Sequence, residues 1–248
     1  MEMRPVKIKS PGNVGPFRPG WALTAVLAVL GLVFLSLGNW QRERAQDKVV
    51  SQTAFDTAPL VTRLEGSPPD WARAVLAGRL DGERHLLLDN KLFRGRAGVH
   101  VLTPLELENS GELLLVNRGW LPLPPDRSAL PEIPTPGEVM EMRGRLAPIS
   151  QPGVQLGEPA TLQPDRWPQL MVYPDWERIE TALGRPVHRK VLYLDVDHSA
   201  GFDDRNWTPF TMGPDRHRAY AVQWYGLAIT ALVIWLILGF RAGRSKDT

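Results

Sequence analysis

Two stretches of this chain are apolar without interruption, and much of what lies between them alternates in short runs. Trp21 to Gly38 (WALTAVLAVLGLVFLSLG) carries no charge and only Thr24 and Ser36 as mildly polar positions. Ala221 to Phe240 (AVQWYGLAITALVIWLILGF) is also uncharged, with Gln223 near its start. At about 1.5 Å per residue these segments reach roughly 27 and 30 Å, the thickness of a hydrocarbon core. Both are apolar on every face and stop abruptly at charge, which argues against buried helices of a soluble protein. Trp21, Trp40, Tyr220, Trp224 and Tyr225 sit near the segment ends, where interfacial aromatics belong. The pattern therefore predicts transmembrane helices over residues 20–38 and 220–240. The first reads as an uncleaved anchor, because it exceeds a signal-peptide core and runs into NWQRERAQDK without a small-x-small cleavage site.

Two spans place both ends on one side. The expectation is cytoplasmic tails over 1–19 and 241–248, with a periplasmic domain over 39–219. The stretch before the first span has a single Ser and four Pro, unlike a mitochondrial transit peptide, so a bacterial inner membrane is the simpler placement. Within the domain, short strand-like runs occur at Ala74–Leu80, His85–Asp89, Val99–Leu105, Glu112–Asn117, Val139–Leu146 and Val191–Val196. Ser110-Gly111 suits a hairpin, Asp81-Gly82 is a second candidate, and six Pro within residues 122–136 make a loop. Asp175 can cap a short helix that Gly184 ends. The predicted fold class is an α+β membrane protein: two transmembrane helices flanking a periplasmic, antiparallel β-rich, barrel-like domain.

Charge changes meaning when the chain is divided. The formal net charge is +2 over 248 residues, yet the two tails together carry +5 and the remainder −3. A basic stripe for nucleic acid is absent, and the cationic tails fit the cytoplasmic side of a bilayer. There is no cysteine, which excludes disulfides, thiol nucleophiles, Cys-ligated metals and covalent c-type haem. No G-x-S-x-G elbow, P-loop or dinucleotide fingerprint occurs, so no catalytic residue is assigned and an enzyme is not expected. The acidic run at Asp195, Asp197, Asp203 and Asp204 fails the calcium-loop template and reads as a solvated turn. His85, His100, His188 and His198 are scattered among strands and loops and read as surface or packed side chains.

His217 differs by position, standing just before the second apolar segment. On a helix it shares a face with Tyr220, Ala221 and Trp224. An imidazole, two aromatics and a small neighbour would suit a flat apolar ring with an iron at its centre, and Arg42, Arg44, Arg216 and Arg218 could pair with its carboxylates. An ordinary interfacial histidine between aromatic anchors fits the same pattern, and the pattern alone favours that plainer reading.

Four segments, taken together, resemble one family: Leu37–Arg44 (LGNWQRER), Asp89–Leu105 (DNKLFRGRAGVHVLTPL), Leu115–Pro122 (LVNRGWLP) and His217–Trp224 (HRAYAVQW). In order and topology they are similar to the Surfeit locus protein 1 family, assembly factors for haem–copper cytochrome c oxidase. The resemblance covers roughly residues 21–240. It implies a two-span inner-membrane protein that binds haem a non-covalently and aids its insertion into the catalytic subunit of the oxidase. His217 would ligate the haem iron, with Tyr220, Trp224, Arg44 and Trp40 around the cofactor. Asn39, Gln41, Gln223 and the segment Asn117-Arg118-Gly119-Trp120 match the same motifs, although for Trp120 core packing is the expected role. Implied partners are the oxidase catalytic subunit, haem a synthase and the bilayer. The alternative is a cofactor-free scaffold for oxidase subunits or other assembly factors, and a membrane-anchored hydrolase has little support.

Overall fold

The computed structural model describes residues 17–124, 126–127, 129–152, 157–158, 161–210 and 212–244. Of the basic tail residues, Arg4, Lys7, Lys9 and Lys246 lie outside this range. The chain divides into two compact units: one holds residues up to Ser51 together with those from Phe210 onward, and the other is Gln52–Pro209.

The first unit is a helix pair. Helix α1 spans Trp21–Asp56, its apolar part continuing as a polar helix because residues 42–54 contain neither Gly nor Pro. Helix α3 spans Pro214–Arg244 and begins on Pro214, which suits a first helical position where no N–H is needed. Both are long and apolar enough to cross a membrane, and only 6% and 11% of their apolar windows are buried. Core helices of a soluble protein would be mostly covered, so the large exposed apolar surface matches a lipid surrounding.

Along α1 the better-covered positions include Thr24, Gly31, Phe34, Gly38, Gln41, Ala45 and Lys48; along α3 they include His217, Ala221, Trp224, Ala228, Ala231 and Trp235. The spacing of three and four residues is that of a coiled-coil seam. Contacts pair early α1 with late α3: Trp235 Nε1 donates to Thr24 Oγ1 at 3.0 Å, and Phe34 stacks on Trp224 at 5.9 Å. The helices therefore run antiparallel. Small residues in the seam permit close approach; a Cβ on Gly38 would meet the Tyr225 ring at 2.5 Å.

The second unit is a sheet of eight strands: β1 (Leu60–Val61), β2 (Ala72–Leu80), β3 (Leu86–Phe93), β4 (Arg96–Leu107), β5 (Leu113–Pro122), β6 (Val139–Ala147), β7 (Gln169–Met171) and β8 (Val187–Leu194). Their order is β1-β2-β6-β8-β5-β4-β3-β7, and a further pairing joins β2 to β4. Five strands thus pair in a cycle, from β2 through β6, β8, β5 and β4 back to β2. The sheet is mixed rather than purely antiparallel, since β1–β2, β3–β7 and β5–β8 run parallel. The long connections before β7 and β8 allow this, whereas tight hairpins force antiparallel neighbours.

Strand β5 is buried from Leu113 to Trp120 without alternation. Its two faces meet two cores: Leu114 and Val116 pack with Leu76, Leu105 and Leu194, while Leu113 and Leu115 pack with Leu86, Ile179 and Val191. Helix α2 (Trp176–Leu183) closes the second core, its N-terminus capped by Asp175 accepting from Arg178 N at 2.9 Å and its end set by Gly184 at φ 69°. The Ser110-Gly111 hairpin forms between β4 and β5. Asp81-Gly82 does not make one, because β2 and β3 are not neighbours. Asp81 instead accepts from Glu83 N, Arg84 N and Arg84 Nε, in a short turn after which the chain runs on along the same edge of β4, from the pairing of Leu80 with Leu105 to that of Leu86 with Leu102.

Candidate functional site at the helix pair

Of the residues implicated by sequence, His217, Tyr220, Trp224, Arg44 and Trp40 all belong to the helix-pair unit. They do not form one closed cluster. His217, Ala221 and Trp224 lie in the seam, while Tyr220 is turned outward and about half exposed. Trp224 is used in helix packing through its stack on Phe34. Trp40 is also about half exposed, with the Arg44 guanidinium over its ring at 5.9 Å. Arg44 further meets Asp47 at 3.4 Å in an exposed pair of small energetic weight.

The closest polar contact of His217 crosses to the other helix: its Nδ1 lies 2.8 Å from Gln41 Oε1. Two turns further into α3, Tyr225 donates its hydroxyl to Asn39 Oδ1 at 2.8 Å. The residue types at 39 and 41 were visible in the sequence; their pairing was not, because 176 positions separate Gln41 from His217. Beyond Tyr225 the seam opens into a groove of about 730 Å³, walled by Leu27, Gly31, Leu35, Ala228, Leu232 and Trp235 among others. Arg42 and Arg216 form no ion pair among the described residues, whereas Arg218 pairs with Asp215 at 2.9 Å.

Of the other four histidines, three are hydrogen-bonded at both ring nitrogens and the fourth, His100, at Nδ1. His85 faces Thr103 Oγ1 at 3.0 Å and the Gly82 carbonyl at 3.3 Å. His188 faces the Gly66 carbonyl and Lys190 N. His198 faces the Glu141 carbonyl at 2.8 Å and Ala200 N at 3.2 Å. His100 approaches Asn117 Nδ2 at 3.4 Å and the Asp204 carboxylate at 3.8 Å, under the edge of Trp207. Burial first, then the nearby Lys91 ammonium, pushes the His100 imidazole down to about 4, so it is neutral at pH 7. No metal-binding group of acids and histidines occurs among the described residues, and the acidic turn at 195–204 holds none.

The central motif in β5 is structural. Arg118 is 1% exposed and reaches three neutral acceptors: the Ala200 carbonyl at 2.7 Å, Thr135 Oγ1 at 2.8 Å and the Pro134 carbonyl at 2.7 Å. Its guanidinium also covers the Phe202 ring at 4.6 Å. Desolvation lowers it to about 10, which leaves it charged at pH 7. It ties the proline-rich loop and the loop before α3 to one strand. Gly119 has φ 106°, and a Cβ there would run into the Asp203 carbonyl. Trp120 is buried and donates from Nε1 to the Lys91 carbonyl at 3.1 Å, a core role.

Comparison with known proteins gives these residues their context. The SURF1 family profile matches residues 28–229, from the first apolar helix to the second. A SURF1-like protein of Monosiga brevicollis is 27% identical over 248 residues, covering 90% of this chain and 88% of the relative. Surfeit locus protein 1 of Takifugu rubripes is 26% identical over 239 residues, covering 84% and 93%. A SURF1-like protein of Caenorhabditis elegans is 28% identical over 134 residues, covering 41% of each. A profile match over most of the chain, from within the first apolar helix through the whole sheet unit and into the second, establishes that the chain belongs to the SURF1 family.

Proposed function

We propose that this protein is a non-enzymatic assembly factor for haem–copper cytochrome c oxidase that binds haem a and aids its insertion into the catalytic subunit. The observation that carries the cofactor part is the state of the histidines. His85, His188 and His198 have both ring nitrogens hydrogen-bonded and His100 is largely buried within the sheet unit, while the partly exposed His217 has Nδ1 held and an Nε2 without a hydrogen-bond partner among the described residues. A ligand nitrogen must present a free lone pair, and a metal-binding imidazole ordinarily has its other nitrogen held by a second group, as Gln41 holds Nδ1.

The residues fit the group chemically. His217 would supply the axial nitrogen, Trp40 and Tyr220 offer exposed aromatic surface, and Arg42, Arg44 and Arg216 offer charge for propionates. An apolar tail belongs at the bilayer rather than in water, and the groove beyond Tyr225 offers it an apolar wall. When bound, haem a would be cargo for transfer, with iron coordination holding it during carriage. The reading places the protein in a bacterial inner membrane with both termini cytoplasmic and the sheet unit periplasmic. Its partners are the oxidase catalytic subunit, haem a synthase and the bilayer.

The test is absorbance of the full chain purified from cells that make haem a. The expected result is a haem band in the native protein and its loss in a folded His217→Ala variant. A full band in that variant would remove His217 from the site. Absence of haem from the native protein, with continued co-purification of the catalytic subunit, would favour the scaffold reading.

A further inference from the structure

We infer that Gln41 is a positioning residue that fixes the tautomer of His217. Neutral imidazole carries one proton and can place it on either nitrogen. In the helix pair, His217 Nδ1 faces the Gln41 side-chain carbonyl oxygen at 2.8 Å, and an amide oxygen only accepts. The proton therefore sits on Nδ1, and the lone pair is on Nε2, the nitrogen without a partner among the described residues. This is the second-group arrangement that orients a ligand imidazole and raises its donor strength.

The placement is built by both helices. Gln41 and His217 occupy opposing seam positions, and each is partly buried. Below them, Tyr225 reaches Asn39 and lies against Gly38, which keeps the two helices in register at this level. A hydrogen bond between side chains on separate helices, in a polar stretch where water could serve either partner, gains its geometry from that register.

The tautomer follows from the geometry alone; its consequence for a metal rests on the haem reading above, and the experiment separates the two. The full chain, haem-free and labelled with ¹⁵N at histidine, is examined by NMR in detergent at pH 8. The expected native result is a protonated Nδ1 and a bare Nε2 at His217. Gln41→Leu should make Nε2–H the major form, whereas Gln41→Glu, which keeps an acceptor oxygen, should retain Nδ1–H. A native Nε2–H form, or an unchanged tautomer in Gln41→Leu, overturns the inference. Far-ultraviolet circular dichroism confirms that each variant retains its helices.

With haem a bound, Gln41→Leu should weaken retention by about 10–100-fold, the usual cost of removing such a partner, with Gln41→Glu restoring it. If the tautomers behave as expected but no variant ever carries haem, the cofactor reading fails and the positioning role of Gln41 stands.

Discussion

The helix pair and the sheet unit treat polar side chains in opposite ways. In the sheet unit, buried polar groups are tied off: Arg118 reaches three acceptors, His198 is held at both nitrogens, and no side-chain nitrogen or oxygen buried among the described residues lacks a partner. In the helix pair, His217 keeps one nitrogen open and Tyr220 and Trp40 stand half exposed. The sheet unit spends its polar residues on holding loops in place. The helix pair leaves some of its own with spare bonding capacity at a level where aromatic and cationic side chains gather. Residues that look equally notable in sequence, such as Arg118 and His217, therefore differ in what their loss should do.

The largest effect should come from Arg118→Met. Removing the guanidinium leaves three acceptors, one buried and two part-buried, without their donor and releases two loops, a loss of about 3 kcal/mol in unfolding free energy. Thermal unfolding of the full chain in detergent, followed by tryptophan fluorescence, measures it. A native midpoint would mean the sheet unit does not depend on this anchor, and the contrast between the units would collapse. His217→Ala in the same assay should shift the midpoint little, since the ring makes a single hydrogen bond.

A smaller effect is set by pH. His100 is depressed in the folded state by burial and by Lys91, with Asn117, Asp204 and Trp207 around it. A histidine whose folded value lies below its unfolded value takes up its proton more readily when unfolded. Its stabilisation is complete above the unfolded value of about 6.5 and fades as pH falls toward about 4. Across that window the sheet unit should lose about 3 kcal/mol from this group. Unfolding in urea at pH 7.5 and pH 4.5 measures the loss, and in His100→Gln the difference should shrink by that amount. An undiminished pH dependence in the variant would assign the effect to other groups.

The smallest effect tests a local rule. Asp175→Ala removes the acceptor for Arg178 N and should cost about 1 kcal/mol, read as a lower unfolding midpoint with no change at the helix pair.

The apolar helices, the six main strands and the capped helix α2 were all legible in the sequence, because each rests on local periodicity or on a cap two or three residues away. Strands β1 and β7 were not, being two and three residues long and held by partners rather than by their own pattern. The false hairpin at Asp81-Gly82 has the same origin: turn chemistry announces a change of direction, but the strand paired afterwards depends on the whole sheet. At the site, sequence singled out His217 and its aromatic neighbours, and the conformation split them between the seam and the exposed surface. Tyr220 and Trp224 satisfy the same helical spacing, and only the position of α1 decides which of them is covered.

By itself, then, the sequence determined two helices long and apolar enough to cross a membrane, a β-rich domain between them, a cysteine-free chemistry and the family motifs in order, since all of these follow from composition and short-range spacing. Only the tertiary structure decided that β2 and β4 pair to complete the strand cycle, that Arg118 anchors two loops, and that Gln41 meets His217. These contacts join residues far apart in the chain, and their geometry exists only after close packing has set the distance and register between elements.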